Sequence, residues 1–219
     1  VRFPVVVRLE DERAGAWATH KALFKNRTVV LFFLGIFAYV GTEQGVANWI
    51  SQFLATYHGY DPQTVGAAKV ALFWGMMTIG GIHGLFLLKF VDSRRVLISF
   101  TGTALLFLTL GLFGPAKVAA FAFPLVGFAA AVMWPVIFSL ALNSVERHHG
   151  SFSGILCTGV IGGALVPLLI GRLGDAFGLR QGMLVLYLTL GYILSIGLWA
   201  RPLVANKTVR LRKKRAEAA

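Results

Sequence analysis

Glu43, Gln44, Asn48, Trp49 and Gln52 stand close together inside an apolar run that reaches from about Val29 to Tyr57. Their side chains suit one kind of chemistry. A carboxyl takes up and releases a proton, or accepts hydrogen bonds from hydroxyls, and each amide both donates and accepts, which fits a neutral polyhydroxy ligand. An indole such as Trp49, or Trp74 further along the chain, offers a flat apolar face for a sugar ring to stack on. Gln44, Asn48 and Gln52 recur at i, i+4 and i+8 and so share one helix face. Glu43 borders that face, about 100° round from Gln44. An ionisable group at membrane depth costs ~2.5–3.5 kcal/mol, so it is usually paired, faces a cavity, or works on a solute or proton. Each residue also has a purely structural reading. Glu43 can be a protonated packing residue bonded to a backbone carbonyl, the amides can bond between helices at ~0.6 kcal/mol apiece, and the tryptophans can simply pack.

Other residues carry weaker signals. Asp92 with Arg94 and Arg95 fills a turn between two apolar runs. It reads as a conformational latch that pairs charge with helix ends, or equally as a solvated topology signal. Gly41 and Gly45 are four apart, a spacing that lets helices approach closely. Pro135 and Pro167 each remove a backbone hydrogen bond at depth, so kinks are expected there. Lys69 is expected to snorkel towards the membrane surface, and His83 to pack as a polar residue.

The elements that must position these groups are membrane helices. Of the 219 residues, 57% are hydrophobic and only 14% charged, with a mean hydropathy of +0.72. A soluble domain needs roughly 25–35% charged residues on its surface. Six runs at about 29–57, 65–90, 95–114, 117–143, 154–177 and 182–201 each meet the ~20-residue length needed to cross the hydrocarbon core as a helix. They are too long and too weakly alternating for barrel strands. The organisation expected is a cytoplasmic linker over 1–27, a six-helix bundle over 28–202 and a basic tail over 203–219. A short surface helix is expected through Trp17–Phe24. Without an initial methionine or signal peptide, the chain reads as part of a longer polypeptide.

Arginines and lysines set the orientation. One side carries Lys21, Lys25 and Arg27, then Lys89, Arg94 and Arg95, then Arg147, then the tail from Arg201 to Arg215. The other carries none over 58–64, then Lys117, Arg172 and Arg180. Both termini are therefore expected in the cytoplasm, in a plasma or bacterial inner membrane. The sequence also echoes itself: Gly80-Gly81 is followed by Asp92 and Arg94-Arg95, and Gly162-Gly163 by Asp175 and Arg180. Two three-helix units in opposite orientation explain the echo, an arrangement found within halves of secondary transporters.

With these features the chain resembles the carboxy-terminal half of a major facilitator superfamily transporter, and within it the fucose–galactose–glucose:proton symporter family. Lys89-Phe90-Val91-Asp92-Ser93-Arg94-Arg95 is similar to the superfamily's cytoplasmic signature. Phe37 through Glu43, Met133-Trp134-Pro135-Val136-Ile137-Phe138-Ser139-Leu140-Ala141, and Ser153 through Cys157 with Gly162 through Gly171 resemble stretches of the narrower family. Gln44 and Gly45 stand where that family usually continues with valine and serine, and Gly81 where it commonly has an arginine. The resemblance implies proton-coupled movement of a neutral sugar by alternating access. It also implies a second, amino-terminal six-helix half that holds most of the coupling acids.

Several function classes fall away. The formal charge of +12 lies between apolar runs and in the tail, with no aromatic-basic interleaving, so nucleic acid is not an expected partner. Cys157 alone permits neither an internal disulfide nor a thiolate metal site. Adjacent His148 and His149 lack supporting ligands, so no metal or cofactor is expected. Gly150-Ser151-Phe152-Ser153-Gly154 has the wrong spacing for a nucleophile elbow, and no phosphate loop is present, so no enzyme is expected. The expectation is half of a sugar transporter, with solute, proton, lipid and the other half as partners. Its substrate contacts are Glu43, Gln44, Asn48, Trp49 and Trp74, and Glu43 is the candidate for proton coupling. The alternative is a non-transporting six-helix scaffold or receptor-like unit with the same fold.

Overall fold

The computed structural model describes residues 17–204 and Thr208. Residues 1–16 of the expected linker lie outside the described residues, as does the basic tail apart from 203, 204 and 208. Among the described residues every regular element is helical. The short helix α1 (Trp17–Phe24) is followed by α2 (Arg27–His58), α3 (Ala67–Leu87) and α4 (Ser93–Phe113). Then come α5 (Ala116–Ala130), α6 (Met133–Leu142), α7 (His149–Thr158), α8 (Gly162–Phe177), α9 (Leu179–Met183) and α10 (Val185–Trp199). Six segments are long and apolar enough to cross a membrane: Arg27–His58, Pro62–Leu87, Ser93–Phe113, Ala116–Leu142, His149–Phe177 and Leu179–Trp199.

Helix α2 starts where Asn26 accepts the Thr28 N–H on its side-chain oxygen at 2.9 Å, satisfying one of the orphan donors of a first turn. It stops at Gly59, whose φ of 69° closes the last turn in the left-handed region. The second span opens on a wide turn in which the Gly66 N–H reaches the Asp61 carbonyl at 2.9 Å, while Asp61 caps Gln63. Both expected proline effects appear ahead of the prolines themselves, about one turn before Pro135 and about two turns before Pro167. The fourth span is interrupted at Ala131–Val132, between α5 and α6, and the fifth tightens at Gly159–Ile161, between α7 and α8. A proline ring clashes with the carbonyl four residues back, which for Pro135 is Ala131 at the break itself; Pro167 lies inside α8, and its clash falls on Gly163, just after the tightened turn.

The first span runs through the interior: Val29, Phe32, Ile36, Val46, Ile50, Phe53 and Leu54 are fully buried. It packs against α8 and α10 and also touches α5 and α6. The second span packs chiefly on α5 and is mostly uncovered. The two closest crossings are built alike. A Cβ on Gly162 of α8 would collide with the Phe37 carbonyl of α2, and one on Gly80 of α3 would collide with the Phe128 carbonyl of α5. One turn on, Gly41 faces Val166 across the first crossing and Gly84 faces Val132 across the second. The second helix of each triplet thus lies on the first helix of the other, as two inverted three-helix repeats require.

Contacts also sort the turns by side. The Leu203 N–H donates to the Asn143 carbonyl at 2.7 Å, and Arg94 reaches the carbonyls at the end of α10. These join the 88–92 turn, the 143–148 turn and the end of the described chain on one side. On the other, the Arg180 N–H donates to the Tyr57 hydroxyl at 3.0 Å. Lys69 lays its ammonium over the Phe121 ring at 4.5 Å, and exposed His83 lies 5.7 Å from the ring of Phe128.

A candidate solute-binding face on the first span

Two polar groups project from α2 in different directions. Thr42 is buried, donates to the Ala38 carbonyl at 2.8 Å and meets the Thr189 hydroxyl of α10 at 2.6 Å. That pair is dry and complete, a bond between helices.

Glu43 is held differently. Buried Tyr39, one turn earlier, donates its hydroxyl to one carboxylate oxygen, and the Gln44 amide donates to the other at 3.1 Å. Both donors come from α2 itself, Tyr39 from one turn back, as helix geometry allows, and Gln44 from the next residue. Its surroundings come from elsewhere. The Tyr39 ring leans on Trp134 of α6 with centroids 5.9 Å apart, and Trp134 stacks on Phe138 at 6.0 Å. Gly163 of α8 leaves room for Gln44, since a Cβ there would stand 3.0 Å from its Cγ. Glu43 and Gln44 are half-buried, and Asn48, Gln52 and Thr56 are exposed.

Gln44, Asn48, Gln52 and Thr56 therefore form a polar row along the one uncovered strip of α2. Gln52 donates to Thr56 at 3.2 Å. Trp49 lies beside the row, its indole N–H donating to the Pro167 carbonyl at 3.2 Å and its ring edge over Gly171. Pro167 leaves the Gly163 carbonyl without its usual helical donor, and Trp49 bonds to the proline's own carbonyl one turn further along α8. Further out, Trp49, Gln52, Thr56 and Tyr57 face Gly171, Gly174 and Asp175 across an open groove of about 400 Å³. Polar and aromatic groups that converge on one groove suit a neutral, hydroxyl-rich ligand.

Gln44 and Asn48 share the uncovered face of α2, with Glu43 bordering it on one flank beside Tyr39 and Trp49 on the other against α8. Trp74 stands apart on α3, with 40% of its surface exposed and its ring edge-on to Phe73 at 5.3 Å. Two members of the group, Tyr39 and Trp134, lie in stretches that resemble the family but are not among the expected site residues. Tyr39 was within reach, since i and i+4 neighbours meet on a helix. Trp134 lies 91 residues further on and needed the fold. Among the described residues no group of three or more metal-ligating side chains comes together.

The candidate latch has a definite geometry. Asp92 accepts the Arg94 backbone N–H at 3.0 Å and so caps α4. The Arg94 guanidinium donates instead to Gly197 at 3.0 Å and Leu198 at 2.8 Å, carbonyls in the last turn of α10. Arg95 is exposed beside it.

Residues 4–167 match the family model described as Major Facilitator Superfamily. A glucose/galactose transporter of Brucella abortus biovar 1 (strain 9-941) is 35% identical over 193 residues, which are 86% of this chain and 46% of that protein. The fold superposes on a crystal structure of the E. coli fucose:proton symporter FucP with a TM-score of 0.78 at 20% identity, over 85% of this chain and 46% of that one. A second structure, a major facilitator superfamily transporter, FucP, in the outward conformation, gives a TM-score of 0.81 at 19% identity over 92% of this chain and 50% of the other. The chain spans about half the length of the relatives it matches.

Proposed function

Because the chain belongs to the major facilitator superfamily, we propose that it forms the carboxy-terminal six-helix half of a transporter that moves a neutral sugar together with a proton. The polar row of α2 carries this reading. Elsewhere the uncovered surface is apolar, with Ile82, Leu85, Leu106, Phe121, Leu168 and Leu188 all more than half exposed. Gln44, Asn48 and Gln52 on an otherwise apolar span cannot face hydrocarbon cheaply, so they face a wet path closed on its far side by the amino-terminal half.

In this reading Gln44 and Asn48 bond the sugar hydroxyls, and Trp49 and Trp134 border its apolar face. Trp74 joins the ligand only if the other half brings it towards α2. Ionised Glu43 accepts from both Tyr39 and Gln44. Protonation turns one of its oxygens into a donor, so one of the two bonds must reverse its direction or break. Gln44 is the more exposed and is the one released, which frees its amide for the sugar. Proton uptake and sugar binding then favour each other through one side chain. The two halves rock about this site. Arg94 latches α4 to the end of α10 from the cytoplasmic side; the arginine-rich turns support a cytoplasmic location for both termini. The B. abortus glucose/galactose transporter and the E. coli fucose:proton symporter support the choice of sugar and proton.

The test is uptake by the full-length protein in proteoliposomes. Glu43→Gln is expected to fold normally and to lower proton-driven sugar uptake at least tenfold, about 1.4 kcal/mol of coupling. Wild-type uptake at every pH would remove Glu43 from the mechanism. No flux of any sugar by the unaltered protein would instead favour a scaffold.

A further inference from the structure

We propose that the groove at the arginine-rich ends of α4 and α10 binds the phosphate of an anionic phospholipid. The groove is open, encloses about 640 Å³, and is lined by Asp92, Arg94, Arg95, Ile98, Gly197 and Arg201. Three guanidiniums stand against one carboxylate, and that carboxylate already accepts the Arg94 N–H. Arg94 is fixed in place by its two bonds to α10. Those use two of its five N–H donors and leave three for a ligand. Arg95 and Arg201 are exposed and bond to nothing among the described residues. A fork of guanidinium donors matches phosphate oxygens in pairs, and holding one fork in advance lowers the ordering cost of binding.

The surroundings point to lipid. The uncovered faces of α4 and α10 are largely apolar: Leu106, Leu110 and Phe113 on one, Leu188 and Leu198 on the other. The polar row lies on α2 instead, so the groove opens to the bilayer and not to the solute path. It sits where the helices leave the hydrocarbon, at headgroup level. Leu198, 67% exposed, flanks it where acyl chains would run. Basic pockets between helix ends on the cytoplasmic side are where anionic headgroups are held. The opposite side offers no counterpart at Arg180, whose guanidinium lies over the Tyr57 ring at 4.5 Å and is further enclosed by Phe53 and Phe113.

The experiment titrates the full-length protein in detergent with phosphatidylglycerol or phosphatidylcholine and counts lipid adducts by native mass spectrometry. Wild type is expected to prefer phosphatidylglycerol. Arg95→Gln with Arg201→Gln is expected to weaken that lipid about thirtyfold, at roughly fivefold per arginine, with phosphatidylcholine unchanged. Arg201→Gln alone, which lies beyond the last helix, gives the fivefold step should the double variant fold poorly. Equal retention of the two lipids, or phosphatidylglycerol binding indifferent to both variants, would overturn the proposal. Complete displacement by millimolar inorganic phosphate would overturn it too, by making this a free-anion site.

Discussion

Where α8 crosses α2 and where α3 crosses α5, one device brings two backbones together: a glycine, Gly162 or Gly80, on the carbonyl of a phenylalanine, Phe37 or Phe128. One turn further, each crossing sets a glycine against a valine, but with the partners exchanged between helices. The crossings then part ways. Six residues beyond Phe37 stands Glu43, and six beyond Phe128 stands Trp134. Both converge on the Tyr39 side chain, one by hydrogen bond and one by ring contact. Small residues alone account for the packing, which is the same in both triplets. The chemistry is what the first triplet adds, and the second answers it with an aromatic surface.

The largest effect expected is on the shared device. Gly162→Leu and Gly80→Leu each drive a side chain into backbone that cannot yield, so each should cost more than about 3 kcal/mol. Loss of monodisperse protein on size exclusion would register it. A well-folded product from only one of the two variants would show that the crossings are not equivalent. Trp134→Ala should leave the bundle intact but raise the KM for sugar about fivefold, about 1 kcal/mol for a lost aromatic contact. An unchanged KM would confine Trp134 to packing against Tyr39. The smallest effect belongs to Thr42→Val, which breaks the Thr42–Thr189 bond. A loss of about 0.6 kcal/mol in thermal stability with full uptake is expected, and lost uptake would move the polar path to the α10 side of the first span.

Much of the fold was legible because a membrane leaves few alternatives. Apolar runs of bilayer length must be helices, and the glycine–aspartate–arginine echo marked the repeat before any coordinates did. The break before Pro135 was legible from that proline, and falls a turn early because the clash is with a carbonyl behind the ring; the tightened turn at Gly159–Ile161 lies further ahead of Pro167 than that clash reaches. The polar row was legible as a four-residue period. What escaped depends on distance along the chain. Thr189 is 147 residues from Thr42, and nothing in either segment announces the pair. The partners of Arg94 are backbone carbonyls at Gly197 and Leu198, invisible to any reading of side-chain types.

The central claim is that the uncovered row of α2 lines a water-filled path that the solute enters. The most direct measurement places a single reactive thiol on that row, Asn48→Cys in a cysteine-free background of the full-length protein, with Cys157→Ser among its changes. Labelling by a membrane-impermeant thiol reagent is then followed with and without sugar. The account predicts rapid labelling that the transported sugar slows. A thiol that stays unlabelled, or one whose labelling no sugar alters, would contradict it.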